Sequence, residues 1–171
     1  MARDGRKRDE ERQKTIAPEL LLENSIGYQL HQADKAVEAG MQLRLNRFGV
    51  PIGMYFYLRV LWLEDGLSQA TLSRRVQTTT ATTTLQLRRM EDRGFIRREA
   101  SPSDRRKVHV YLTDSGRELE DAVLGEALKN RHDAFRGFSK EEIRQTVDLL
   151  TRIRRNMSGL SASNQIDDQD R

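Results

Sequence analysis

Six of the seven positions from Thr78 to Thr84 carry threonine, in the stretch RVQTTTATTTLQLRRMEDRG, and Arg88 and Arg89 follow about one turn later. Hydroxyls both donate and accept, and a guanidinium presents a planar fork of donors. This set suits hydrogen bonding to phosphate oxygens and base edges. A strand over TTTATTTLQL has the β-branched propensity but lacks the alternation that gives a sheet one buried face, and a polar spacer leaves LQLRRMEDRG without an entry. A helix beginning near Thr79 or Thr80 gains a threonine N-cap, places Thr83 or Thr84, Leu87 and Met90 along one side, and has Gly94 as its left-handed stop. Ala81, Thr82, Leu85, Arg88, Arg89 and Asp92 fall on the opposite side. Each threonine costs about half a kcal/mol of helix propensity relative to alanine. Small hydroxylated residues justify that cost where a helix end must enter a groove; a threonine-rich helix that meets nothing is the alternative.

Charge supports the first reading. Between Ser68 and Tyr111 ten basic residues (Arg74, Arg75, Arg88, Arg89, Arg93, Arg97, Arg98, Arg105, Arg106, Lys107) face four acidic ones (Glu91, Asp92, Glu99, Asp104). The surplus of six exceeds the +4 of the whole chain, so basicity is confined to this segment, the footprint expected for a polyanion. Other chemistries lack their residues. Cysteine is absent, which excludes disulfides, thiol redox sensing, cysteine nucleophiles and thiolate metal sites. His31, His109 and His132 are far apart and form no HExxH pattern, so neither a metal nor a cofactor is expected. With no GxSxG elbow and no GxxxxGK[ST] loop, an enzyme is not expected either.

The elements that must position these residues read from periodicity. A chain of 171 residues with 36% hydrophobic content is expected to form one domain. No apolar run approaches the roughly 18 residues of a membrane span, and the N-terminus has no apolar segment behind its charges, so a cytoplasmic protein is expected. Residues 1–17 and 159–171 are polar and aperiodic, and both are expected to be disordered tails. From Pro18, Leu22, Ile26, Leu30, Ala33, Val37, Met41, Leu45 and Phe48 recur at steps of three and four, predicting one helix of about 30 residues whose stripe outruns a small core. After FGVP, IGMYFYLRVLWLEDG predicts an aromatic-rich helix stopped by Gly66. Ser68 then caps a short helix, with Leu67 set to staple against Leu72. FIRRE and VHVYL read as strands around the cationic turn ASPSDRRK. Thr113 caps a helix carrying Leu119, Val123, Ala127 and Phe135, and Ser139 with Glu142 forms a capping box opening a last helix with Ile143, Val147, Leu150 and Ile153 on one stripe. Two short helices followed by strand, cationic turn and strand describe a winged helix-turn-helix. The fold class expected is therefore mainly α with a small β wing (α+β).

LRVLWLEDGLSQATLSRRV, RRMEDRGFIRR and above all SDRRKVHVYLTDSG resemble the MarR family of bacterial transcription regulators. The last stretch carries that family's wing signature at Asp104, Arg106, Val110, Leu112 and Thr113, and the likeness spans residues 20–155. The resemblance implies an obligate homodimer binding a pseudopalindromic double-stranded DNA operator. Residues 18–50 and 113–158 would form a helical dimerisation layer, and residues 51–112 the DNA-binding lobe, within a domain spanning 18–158. It implies a recognition helix from Thr79 to Arg93 and a wing from Ala100 to Lys107, with Arg106 in the minor groove and Asp104 supporting the turn. Thr80, Thr82, Thr83 and Arg88 become base-edge candidates. Ser68, Gln69, Arg74, Arg89 and Lys107 become phosphate candidates, with Thr79 and Arg105 in the same DNA-binding set. Gln77 stands where relatives often have glycine, and Leu85 where many place arginine, which leaves base readout there to apolar contact with a thymine methyl. A small-molecule effector cavity between layer and lobe is also implied, with Tyr28, His31, Tyr55 and Arg59 as candidate lining. The alternative keeps Tyr55, Phe56 and Trp62 in the core and makes Arg59 a surface ion-pair partner. An architectural or RNA-binding module without an effector is the rival function.

Overall fold

A computed structural model describes residues 21–100 and 108–167. The chain divides into two compact units between Asn130 and Arg131.

In the first unit, α1 (Ile26–Leu45) runs into a 3-10 turn, Asn46–Phe48. Residues 21–25 form a turn rather than helix, and the helix opens only at Ser25, whose hydroxyl accepts from the Tyr28 amide at 3.4 Å. The expected helix of about 30 residues is thus a 20-residue one, because Asn24 and Ser25 favour turn and cap geometry over continuation. Of its stripe, Met41 and Leu45 are buried, whereas Ile26 and Val37 are exposed.

α2 (Ile52–Leu63) supplies the centre of the core through Met54, Tyr55, Tyr57, Leu58 and Leu61. β1 (Leu67–Ser68) leads into α3 (Gln69–Val76), and α4 (Thr80–Asp92) follows. β2 (Ile96–Ala100) and β3 (Val108–Leu112) complete an antiparallel sheet of order β1-β3-β2, with Ile96 opposite Leu112 and Ala100 opposite Val108. Leu72, Leu87, Met90, Ile96, Val110 and Leu112 close the core on α2. β1 is a strand the sequence reading lacked, two residues long and defined by pairing Leu67 with Val110. His109, opposite Ser68, puts Nδ1 at 2.9 Å from the Gly66 carbonyl; a carbonyl only accepts, so this nitrogen carries the proton and the ring is structural.

The turn between α3 and α4 is tight. Gln77 has φ 57° and ψ 46°, the one non-glycine positive φ among the described residues. Gln77→Gly is therefore expected to raise stability by up to about 1 kcal/mol, read as a higher urea midpoint at unchanged slope; a lower midpoint would show that glycine's unfolded-state entropy outweighs the relief.

Thr113 caps α5 (Asp114–Glu118), and α6 (Glu120–Ala134) continues after a break at Leu119, so the single helix expected there is two. Glu126 on α6 is buried, with 5% side-chain exposure. It accepts from Arg44 at 3.2 Å, Arg47 at 2.6 Å and Lys129 at 2.7 Å, which fastens α6 to the end of α1 and the 3-10 turn. Hydrogen bonding from Lys129, then Arg44, holds its carboxyl below the usual glutamate range. The ionised form stabilises the fold above that range, and the contribution is lost as pH falls through the lowered value.

In the second unit, Ser139 and Glu142 form the reciprocal capping box at 2.8 Å and 3.2 Å that opens α7 (Lys140–Asp167). The helix runs nine residues past position 158, where a disordered tail was expected, and its polar sequence contains no proline to stop it. No helix among the described residues is long and apolar enough to cross a membrane.

Candidate nucleic-acid interface

α4 answers what the threonine tract does, one hydroxyl at a time. Thr79 is the N-cap: its Oγ1 accepts from the Thr82 amide at 3.1 Å and donates to Thr82 Oγ1 at 2.9 Å. Thr84 donates back to the Thr80 carbonyl at 2.8 Å and accepts from Gln69 Nε2 at 2.6 Å, which ties α3 to α4. Thr78 and Thr83 turn inward towards the Tyr57 hydroxyl. Thr80 and Thr82 remain on the exposed side.

One expectation is corrected here. Thr83 has 0% exposure, so it is not a base-edge candidate; it lies on the α4 face that also buries Leu87 and Met90, at steps of four and three. The opposite face, at steps of four, three and four, carries Ala81, Leu85, Arg88 and Asp92, all exposed, with Leu85 at 48%.

The cations of the basic segment sort by partner. Arg75 pairs with Glu64. Arg97 pairs with Glu99 at 2.8 Å and stacks on the Tyr111 ring at 4.9 Å. Arg98 binds Glu91 through two guanidinium bonds and its backbone amide, which lowers that carboxyl's pKa. Arg93 donates to the Gly49 carbonyl. Among the described residues Arg88 and Arg89 make no ion pair or side-chain hydrogen bond, and Arg74 reaches only Thr71 Oγ1, at 3.2 Å. The unneutralised charge therefore gathers on α4 and the end of α3. Ser68 is committed as the α3 cap, accepting from the Thr71 amide at 3.2 Å.

Asp104, Arg105, Arg106 and Lys107 lie outside the described residues; β2 and β3 bring the two ends of that segment together at Ala100 and Val108. Among the effector candidates, Tyr55 and Arg59 meet, the guanidinium 5.6 Å from the ring centroid, and burial raises the phenol's pKa. Tyr28 and His31 sit near the start of α1, with His31 ten residues before Met41, roughly 15 Å along the axis. Phe56 is 41% exposed, outside the core proposed for it in the alternative, while Trp62 packs on the core and donates to the Gly116 carbonyl at 2.9 Å. An open cleft of about 350 Å³ is lined by Pro51, Gly53, Gln86, Arg89 and Arg93 among others, and by none of the four effector candidates. Among the described residues no cluster of three or more His, Asp or Glu could hold a metal ion.

The model of the MarR family matches residues 52–108, from the start of α2 to the start of β3. An uncharacterised HTH-type transcriptional regulator of Bacillus subtilis, YdgJ, is 30% identical over 140 residues, covering 82% of this chain and 84% of its own. An HTH-type transcriptional repressor of Mycobacterium bovis is 32% identical over 64% of this chain and 77% of its own. The structure of CouR from Rhodococcus jostii bound to p-coumaroyl-CoA superposes with a TM-score of 0.68 at 25% identity, covering 78% of this chain and 94% of that one. Shared sequence over most of both chains, together with a shared fold, leads to one assignment: the chain belongs to the MarR family of transcriptional regulators.

Proposed function

We propose that the protein is a sequence-specific DNA-binding regulator that reads a pseudopalindromic operator as a homodimer, acts as a repressor, and leaves DNA when a small aromatic or anionic ligand binds. The observation that carries this is the sorting of charge: neighbouring arginines are paired internally, whereas Arg88 and Arg89 stand uncompensated on the exposed faces of α4. In this reading Thr80, Thr82, Leu85 and Arg88 face base edges. Arg74, Arg89, Gln69 and the capped helix ends at Ser68 and Thr79 meet phosphates, and Arg105, Arg106 and Lys107 extend the contact through the wing. The dimer is supported by Val147, Leu150, Ile153 and Met157, exposed at 55%, 43%, 38% and 59% and spaced by three and four along α7. Repression follows the Mycobacterium bovis relative's name, and a ligand follows CouR, with Tyr55 and Arg59 as the paired candidates and Tyr28 and His31 completing the set.

The test is fluorescence anisotropy at physiological salt on a duplex selected from a random pool and on random duplex. The selected site is expected to bind at least about 10³-fold tighter. Equal affinities would favour an architectural or RNA-binding module instead.

A further inference from the structure

The apolar contacts of α4, through Leu87 and Met90, put that face of the helix in the core but are themselves non-directional. At its reading end a directional device replaces them. The hydroxyls of Tyr57, Thr78 and Thr83 lie within hydrogen-bond distance of one another, at 2.8 Å (Tyr57 to Thr78), 3.2 Å (Tyr57 to Thr83) and 2.9 Å (Thr78 to Thr83). Three hydroxyls bring three protons to three edges, so each can donate once and accept once and close a ring, in which bonds polarise one another. Tyr57 is 1% exposed and Thr83 is 0% exposed, so water does not compete for these two groups, whereas Thr78 is half-buried and leaves one corner of the ring within reach of solvent. The ring is anchored beyond itself, since Ser73 Oγ donates to the Thr78 carbonyl at 2.7 Å. One small network thus joins the middle of α2, the end of α3, the turn and the first turn of α4.

We propose that Tyr57 and Thr83 are positioning residues for operator reading: their hydroxyl ring fixes the rotation and depth of α4, so that Arg88 and its neighbours present one geometry to the groove. This rests on the operator-reading function proposed above. Neither side chain touches DNA. Valine at position 83 has nearly the same shape but would leave the Tyr57 and Thr78 hydroxyls one partner short, so the ring depends on the Thr83 hydroxyl itself.

The test uses the full-length protein and the variants Tyr57→Phe, Thr83→Val and Thr83→Ser, titrated against the selected operator and against random duplex, with circular dichroism melts alongside. Tyr57→Phe and Thr83→Val are each expected to weaken operator binding about tenfold, within the range that one misplaced side-chain contact to a base would lose, while random-duplex affinity stays put. Thr83→Ser, which keeps the hydroxyl, should bind as the parent does. The proposal is overturned if Tyr57→Phe and Thr83→Val keep parental discrimination, if operator and random affinities fall together, or if Thr83→Ser loses as much as Thr83→Val. Should Tyr57→Phe fail to fold, the valine and serine pair at position 83 decides alone. A parent protein with no operator preference would remove the operator-reading function itself, an outcome separate from preference retained in Tyr57→Phe.

Discussion

Arg88→Ala is expected to weaken the operator complex by about 1–3 kcal/mol and to relax discrimination at the base pair it faces, while the protein stays folded. Arg88 is exposed on the Ala81, Leu85, Asp92 face, and makes no ion pair with a described acid, Asp92 one turn on included. Its removal therefore breaks nothing inside the protein. Arg75→Ala is the matched control: it deletes the same formal charge, but from a side chain already paired with Glu64. If long-range attraction alone governed binding, the two variants would lose affinity equally and keep the same sequence preference. A larger loss for Arg88→Ala, concentrated on the selected duplex, assigns it to base reading. Equal losses on operator and random duplex would move Arg88 to the phosphate set, with a salt slope reduced by about one.

Gly116→Ala is expected to be the most damaging single-methyl change in the first unit. A Cβ at Gly116 would stand 2.1 Å from the Phe95 carbonyl oxygen and 3.1 Å from its carbon. Both are backbone atoms that cannot swing aside, and the same oxygen accepts the Thr113 amide at 3.1 Å. The Gly116 amide is itself held by Thr113 Oγ1 at 3.1 Å and its carbonyl by Trp62, so the residue has no room to retreat. Relief requires the chain at Phe95, just before β2, and the start of α5 to part. Overpacking of this kind costs about 3 kcal/mol, which for a chain of this size lowers Tm by roughly 6–12 °C. Calorimetry checks it, and a melt within a degree or two of the parent would mean that the α5 junction is looser than its hydrogen bonds indicate.

What the sequence could say about this protein depended on how far apart the interacting residues lie. Caps formed within four residues were readable: Ser68, Thr79, Thr113 and the Ser139–Glu142 box all stand where local chemistry puts them. The wing's two strands were readable because VHVYL alternates and FIRRE precedes it across a turn-forming stretch. β1 was not, since two residues show no alternation and only pairing with β3, some forty positions later, makes them a strand. Thr83 was partly readable: helical spacing puts it or Thr84 beside Leu87 and Met90, but the family resemblance made it a base-edge candidate, and the partner that settles it, Tyr57, lies 26 residues away. Glu126 drew no attention as one acid in a polar helix; its importance comes from Arg44 and Arg47, about eighty positions earlier. The start of α1 was placed too early because the apolar stripe carries on through a segment that Asn24 and Ser25 turn away from helix. Periodicity records which face is apolar but not where the hydrogen-bonded ladder begins.

The central claim is that two copies of this chain present their α4 helices to one duplex at a spacing that matches the pitch of DNA. Hydroxyl-radical footprinting of the selected duplex at physiological salt tests it most directly. The account predicts two symmetric protected patches whose centres lie about 10 base pairs apart, or a whole multiple of that, both fading together in Arg88→Ala. A single unsymmetrical patch, or uniform protection along the duplex, would contradict it.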